Sequence, residues 1–294
     1  MKNINLFHRP VMLKKVIELI NKKEKNGIHI DCTFGSGGHA KKLLKVITKN
    51  GILIAIDKDP TAIKIAKNMS LYDKRVKFYR GSFMSVNKIS KKYNLTGKIN
   101  NIIVDLGISN MQLNNSLGFS FQKNSVLDMR MDPTYGIPAY KWINNISKDQ
   151  MSKILKTYGE EKYHVEISQA IKLHLKHNTI LNSLDLVNVI YNAIPIRYFH
   201  THFATKTFQA IRIAINNELY ELKKFLLSIP HLLSKNGKLN IMSFHSLEDR
   251  IVKNFYKNNN ISSMKQIVKN IPTIDEVTLN KQSRSAILRV FKKV

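Results

Sequence analysis

The segment Ile30-Asp-Cys-Thr-Phe-Gly35-Ser-Gly-Gly-His-Ala40 constrains the fold more than any other stretch of the chain. A short apolar run containing Ile28 and Ile30 leads into it, and a helical pattern of Ala40, Leu43, Leu44 and Ile47 follows. The order is strand, glycine-rich turn, helix. Glycines at 35, 37 and 38 permit a sharp turn and let the backbone approach a ligand with no Cβ in the way. The helix start behind them presents free N–H groups. A second apolar run, Gly51-Ile-Leu-Ile-Ala-Ile56, ends in Asp57, 20 positions beyond Gly37. An acid at that place suits the two hydroxyls of a ribose. The chain is therefore expected to bind a cofactor that contains a nucleoside.

The rest of the first third repeats the same alternation. Strand-like runs at 28–33, 51–56, 76–79 and 101–105 are separated by helical patterns at 11–20, 39–48, 60–68 and about 84–92. Alternation of this kind predicts βαβ units and a parallel sheet covered on both faces. Asn101-Ile-Ile-Val-Asp105 reads as a central, doubly buried strand. After Gly107 the character changes. Gly118, Pro133, Gly136 and Pro138 interrupt residues 113–146. Helical patterns then dominate, one opened by a capping box of Ser147 and Gln150 and another capped by Ser183. No strand is expected between about 113 and 203. A long amphipathic segment carries Phe208, Ile211, Ile215, Leu219, Leu222 and Leu226 and ends near Pro230. Strand signals return at 238–243 and 286–291. The expectation is one discontinuous α/β domain, residues 1–112 and 204–294, interrupted by an all-helical insertion, residues 113–203.

Composition narrows the partners. The chain of 294 residues carries 48 Lys and Arg against 20 Asp and Glu, a net charge of +28. Such an excess favours a polyanion, with nucleic acid the first candidate, although Lys, Asn and Ile are abundant throughout. Cys32 is the single cysteine, so a disulfide framework and a cysteine-rich zinc site are excluded. His174 and His177, or His200 and His202, lack acidic or cysteine partners, and no metal is expected. No apolar run approaches the roughly 20 residues of a membrane helix, and Met1–Pro10 has no apolar signal core. A cytoplasmic protein with no membrane partner is the expectation.

Gly35-Ser-Gly-Gly-His-Ala40 also fits G-x-G-x-x-A, which keeps an NAD-dependent oxidoreductase in contention. Three features favour S-adenosylmethionine. Asp31 stands four residues before Gly35, where dinucleotide-binding strands are apolar, and could meet a positively charged methionine-type head group. Asp105, followed by Gly107, places a further acid at the carboxyl edge of the sheet, where cofactor sites form. Leu233-Ser-Lys-Asn-Gly237-Lys-Leu resembles the turn before strand five of S-adenosylmethionine-dependent methyltransferases.

Longer motifs extend the likeness nearly end to end. They include His8-Arg-Pro-Val-Met-Leu13, Asp31–His39, Ala55-Ile-Asp-Lys-Asp-Pro60, Asp105-Leu-Gly-Ile-Ser109 with Gln112, and Gly118-Phe-Ser-Phe121. Further on stand Leu127-Asp-Met-Arg-Met-Asp-Pro133, Lys156-Thr-Tyr-Gly-Glu-Glu161, Thr207-Phe-Gln-Ala-Ile-Arg212, Ser243-Phe-His-Ser-Leu-Glu-Asp249 and Ser283-Arg-Ser-Ala286. In these the chain resembles the bacterial 16S ribosomal RNA cytosine-N4 methyltransferases, the ribosomal RNA small subunit methyltransferase H family. The resemblance implies a Rossmann-like methyltransferase sheet with the helical insertion, and N4-methylation of a decoding-centre cytidine of 16S ribosomal RNA in the small ribosomal subunit.

It further implies that Gly37, Gly38 and His39 cradle the methionine part of S-adenosylmethionine, that Phe83 lies beside the adenine, and that Asp57, Asp105 and Gln112 complete the cofactor contacts. No general base is assigned. Arg130, Lys206, Arg212, Arg250 and Arg284 lie in family motifs and could meet RNA phosphates. Ser246 with Asp249 reads as a capping box rather than a hydrolytic pair. The chain departs from the family pattern at Asn110-Met111, where Ser-Pro is usual, and at His202-Phe-Ala-Thr-Lys206, where His-Pro-Ala-Thr-Arg is usual. The stretch between Phe255 and Asn280 is short for the family. A catalytically silent RNA-binding assembly protein is the other reading.

Overall fold

Isoleucine, valine and leucine fill the parallel strands, because β-branched and aliphatic side chains pack well on a pleated surface buried on both faces. In the computed structural model, which describes residues 10–195, 202–259 and 261–294, seven strands form one sheet. They are β1 (Ile28–Asp31), β2 (Ile52–Asp57), β3 (Val76–Arg80), β4 (Ile99–Asp105), β5 (Leu233–Ser243), β6 (Met264–Asn270) and β7 (Ile287–Lys293). Their order is β3-β2-β1-β4-β5-β7-β6. Strands β1 to β5 pair in parallel, whereas β7 runs antiparallel to β5 and β6 antiparallel to β7. This is the Rossmann-like sheet expected. The strand sequence turns back between β1 and β4, and ligands of open α/β sheets bind at such a switch point, outside the carboxyl ends.

The chain divides into two compact units, Met1–Gly107 with Leu219–Val294, and Ile108–Glu218. The first holds the sheet. Ile30, Ile54, Ile102 and Val104 share its core with Leu222, Phe225, Leu226 and Ile229 of the helix Glu218–Leu232. The second has its own core, in which Met151, Leu155, Ile171 and Leu186 bury Phe208, Ala210 and Ile211.

The boundaries therefore lie at 107/108 and 218/219, outside the 112/113 and 203/204 read from sequence. The amphipathic run from Phe208 to Leu226 is two helices, Thr205–Asn216 and Glu218–Leu232, parted by Asn217 at φ 52°. Left-handed backbone ends the first helix, and asparagine tolerates it better than most residues. The first helix faces the helical core and the second the sheet. Pro230 lies inside the second helix and does not end it.

Three local readings also shift. β6 carries no clear apolar signal, because an edge strand with mostly exposed side chains needs none. Asn182 with Asp185, one position before Ser183, forms the capping box of the helix Ser183–Ala193. His245 caps the helix Ser246–Asn258 through its Nδ1 and the Glu248 N–H, while Asp249 turns to Arg289. The Ser147–Gln150 box stands as read. His8, Arg9, His200 and Asn260, which fall in motifs or loops discussed above, lie outside the described residues. Among the described residues no helix is long and apolar enough to cross a membrane.

A buried ion pair ties the start of the first unit to β5. Lys238 Nζ donates to both Glu24 oxygens, at 2.7 and 2.9 Å, and to the Leu19 carbonyl at 2.7 Å. Removing one member strands the other in a dehydrated place. Glu24→Ala should lower stability by about 3 kcal/mol in urea unfolding, and Lys238→Met added to Glu24→Met should recover much of that loss.

Candidate functional site

The carboxyl ends of β2, β1 and β4 lie side by side, and each ends in an aspartate: Asp57, Asp31 and Asp105. The loop after β1 is fastened between them. The Cys32 N–H donates to the Ile103 carbonyl at 2.9 Å, and the Phe34 N–H to the Ile56 carbonyl at 3.1 Å. Thr33 Oγ1 accepts the Asp105 N–H at 2.7 Å, and the Thr33 N–H donates to Asp31 Oδ1 at 3.3 Å. Asp57 spans the turn, its Oδ2 accepting from the Gly35 N–H at 2.8 Å and its Oδ1 from the Asp59 N–H at 2.9 Å. One hydrogen bond on each oxygen leaves acceptor capacity on both, as a pair of hydroxyls requires.

The glycines are demanded by this packing. Gly37 sits at φ +78°, and a Cβ there would lie 2.7 Å from Cζ of Phe34. At Gly38 a Cβ would lie 2.2 Å from Cγ of Pro10. The helix Gly38–Leu44 can start here only because both positions lack a side chain.

Among the sequence-predicted residues, the sheet unit brings Gly37, Gly38, His39, Asp57, Phe83 and Asp105 to the segments that follow the carboxyl ends of its parallel strands. His39 is buried, with Nε2 3.2 Å from the Val11 carbonyl, so its ring anchors the segment ahead of the first strand. Phe83 opens the short turn after β3 and stands edge-on to Phe225, ring centroids 5.3 Å apart. Gln112 lies in the other unit, where Gln112 Oε1 accepts the Ser109 N–H at 3.0 Å and its own N–H donates to Ser109 Oγ at 3.2 Å. That capping box accounts for Gln112 locally.

Two candidate phosphate contacts are held by carboxylates. Arg130 donates to Asp128 through Nε and Nη2, both at 2.7 Å, and Arg212 to Glu218 through Nε and Nη2, both at 2.9 Å. Lys206 Nζ donates to the Glu160 carbonyl at 3.0 Å, while Arg250 and Arg284 belong to the sheet unit. His202 stacks on Phe121 at 4.3 Å. Thr33 and Glu221 carry no sequence signal of their own for a role at the site. Glu221 Oε2 accepts from Ser82 Oγ and from Lys58 Nζ at 2.9 Å, tying the segments after β3 and β2 to the helix Glu218–Leu232. No short motif links residues 139 positions apart.

Electrostatics single out the three aspartates. Desolvation pushes the Asp105 carboxyl up to about 8, and the charges of Asp31 and Glu248 add to the rise. Asp31 is pushed up to about 7 by burial, with a further contribution from Asp57. Asp57 is pushed up to about 6 by desolvation, against the pull of the Asp59 and Gly35 N–H groups. Asp105 Oδ1 is shielded from solvent and has no hydrogen-bond partner. A buried acceptor left unsatisfied is costly, and three neighbouring acids raised chiefly by burial favour a ligand that is positively charged and donates hydrogen bonds. S-adenosylmethionine fits that demand through its sulfonium and ammonium groups and its ribose hydroxyls.

These carboxyls bind protons more tightly folded than unfolded, so their contribution to stability is greatest at low pH and is lost as the pH rises from about 4 towards about 8. Asp105→Asn removes the group with the highest value. Between pH 5 and pH 8, roughly the span of that loss, the urea midpoint of unliganded Asp105→Asn should fall less than that of the unsubstituted protein. Parallel curves would contradict the assignment.

Residues 5–294 match the model of the MraW methylase family. A protein of Buchnera aphidicola subsp. Baizongia pistaciae named ribosomal RNA small subunit methyltransferase H is 43% identical, covering 100% of this chain and 99% of its own. Its namesake from Buchnera aphidicola subsp. Cinara cedri is 46% identical, over 96% of this chain and 98% of its own. That of Wigglesworthia glossinidia brevipalpis is 42% identical, over 98% and 99%. A sheet with acids at the ends of β1, β2 and β4, a glycine turn fitted between them and this end-to-end likeness lead to one assignment: the chain belongs to the MraW methylase family.

Proposed function

We propose that this chain transfers a methyl group from S-adenosylmethionine to the exocyclic N4 of a decoding-centre cytidine in 16S ribosomal RNA, acting on the small ribosomal subunit in the cytoplasm. The observation that carries the reading is Asp105, whose Oδ1 is buried and unpartnered at the switch point of the sheet, beside Asp31. Family membership supports the reaction class, and the relatives' names support the substrate. The net charge of +28 supports a polyanionic substrate bound with strong salt dependence.

When bound, S-adenosylmethionine supplies an electrophilic methyl group on a positively charged sulfur. The turn at Gly37 and Gly38 holds the methionine part, Asp31 answers its ammonium charge, and Asp57 accepts from the ribose hydroxyls. Phe83 offers a ring edge or face to the adenine. Gln112 is a further cofactor contact on the strength of the family motif. The cytosine amine is a poor nucleophile, because its lone pair is delocalised into the ring. Asp105, accepting a hydrogen bond from that amine, holds it in line with the methyl group, and such positioning supplies a large part of the rate. The target base must leave its stack to reach the sheet edge. The helical unit is the part free to hold RNA without disturbing the cofactor fold.

The test is transfer of labelled methyl from S-adenosylmethionine to small subunits prepared from a strain lacking the modification, followed by nucleoside analysis for N4-methylcytidine. Asp105→Ala should reduce turnover by about 100-fold, the scale of a misplaced reactant, and weaken cofactor binding. Normal values for both would remove Asp105 from the site. Subunit binding with no transfer by the unsubstituted protein would mark a silent RNA-binding protein. Binding of NAD with none of S-adenosylmethionine would mark an oxidoreductase.

A further inference from the structure

We propose that the outer edge of the sheet, β3 with the helix Val86–Lys92, binds a single-stranded segment of the RNA and leads it towards the cofactor edge. The proposal rests on the RNA-methyltransferase reading and adds a surface that the sequence motifs do not touch.

β3 is the last strand of the sheet and pairs with β2 alone. Lys77 and Tyr79 alternate with Phe78 and Arg80, so they share one face of the strand. Tyr79 packs against the core cluster that contains Val86 and Ile89, which makes this the face covered by the helix. Tyr93, the residue following that helix, meets Tyr79 with ring centroids 5.4 Å apart and planes tilted 54°. Lys92 Nζ stands 5.4 Å from the Tyr93 ring centre, and Tyr93 is 43% exposed. Lys88, Lys91 and Lys92, spaced i, i+3, i+4, form the exposed face of the helix, and Lys77 is exposed beside them on the strand.

Cations and an open ring thus lie together on the strand and the helix that covers it. Among the described residues none of Lys77, Lys88, Lys91 or Lys92 has an ion-pair partner. From Asp73 to Lys98 the chain carries eight basic residues and one acid, Asp73, which Arg75 holds, where its overall ratio of 48 to 20 would bring about three. Lysines answer phosphates, and an exposed tyrosine between them stacks a base whatever its identity. The strip also points somewhere. Tyr79 lies opposite Ile56, one strand spacing of about 4.8 Å away, and Ile56 is the residue before the acid assigned to the ribose. A strand of RNA held here presents its next nucleotide to the cofactor edge.

Lysines on an edge strand also prevent sheets from pairing edge to edge, and that explanation needs no RNA. The experiment separates the two with the full chain, using a labelled single-stranded fragment of 16S ribosomal RNA and a salt titration. Lys77→Glu with Lys91→Glu and Lys92→Glu should weaken binding by tens of fold or more at about 0.1 M salt and reduce the slope of log K against log salt by about two, the value for three phosphate contacts on a single strand. Tyr93→Ala should weaken binding about tenfold, the scale of one lost stacking partner, with the slope unchanged. S-adenosylmethionine affinity should stay the same in all variants, which also shows that they fold. Unchanged affinity and slope, or increased self-association as the only effect, would overturn the proposal. If the unsubstituted protein neither binds the fragment nor methylates small subunits, it is the functional reading that fails; if it does and the variants match it, only the strip fails.

Discussion

Burial dehydrates Asp31, Asp57 and Asp105 at the ends of three adjacent strands, and the charge of Asp57 on Asp31 and of Asp31 on Asp105 adds to that cost. The backbone around them is arranged to tolerate it only in part. N–H groups of Gly35 and Asp59 satisfy Asp57, and the Thr33 N–H satisfies one oxygen of Asp31. Asp105 is left with an oxygen that nothing in the sheet unit answers. The unliganded fold therefore carries an electrostatic deficit at one place, and a cationic, hydrogen-bond-donating ligand removes it. In the proposed function, binding energy and selectivity for charge come from the same three side chains.

Such a deficit persists only where the surrounding structure is rigid enough to hold it. Here the rigidity comes from strands buried on both faces and from a loop fastened at several points. Cys32 and Phe34 donate to β4 and β2, Thr33 takes the Asp105 N–H, and His39 reaches back to the Val11 carbonyl. Glu221 holds the segments after β2 and β3 through Lys58 and Ser82. Of these contacts, the Thr33–Asp105 bond and the His39 anchor involve residues expected at the site, and the others stand behind them. Each fixes where an aspartate or a glycine stands, which is the preorganisation that transition-state stabilisation needs.

The strands that carry the acids were legible because central parallel strands leave continuous apolar runs, and a terminal Asp after Ile-Ile-Val or Ile-Ala-Ile stands out against them. β6 was not, since an exposed edge strand imposes no apolar pattern. The break at Asn217 was invisible to periodicity, because helices on either side of it bury apolar faces of the same spacing in two different cores. Sequence places the caps to within a residue at Asn182 and His245, because Asn, Ser and His can all accept from a free N–H. Gln112 shows the opposite limit. Its motif suggests a ligand, its geometry shows a cap, and one side chain can serve the helix start whether or not it also meets a cofactor.

The position of the insertion follows from the same edge. The chain leaves the sheet two residues after Asp105, at Gly107 with φ +89°, and returns through a helix whose Glu221 braces the segments after β2 and β3. Loops at the carboxyl ends of parallel strands can lengthen without disturbing the core, so substrate-specific structure accumulates there. An insertion after β4 leaves the sheet unit two residues after the acid expected to hold the target amine. The same chain placed after β6 or β7 would leave the sheet equally intact and would start from antiparallel strands at the far side of the sheet from β1 and β2. The cofactor edge fixes where recognition can be added, and the order of the strands fixes that edge.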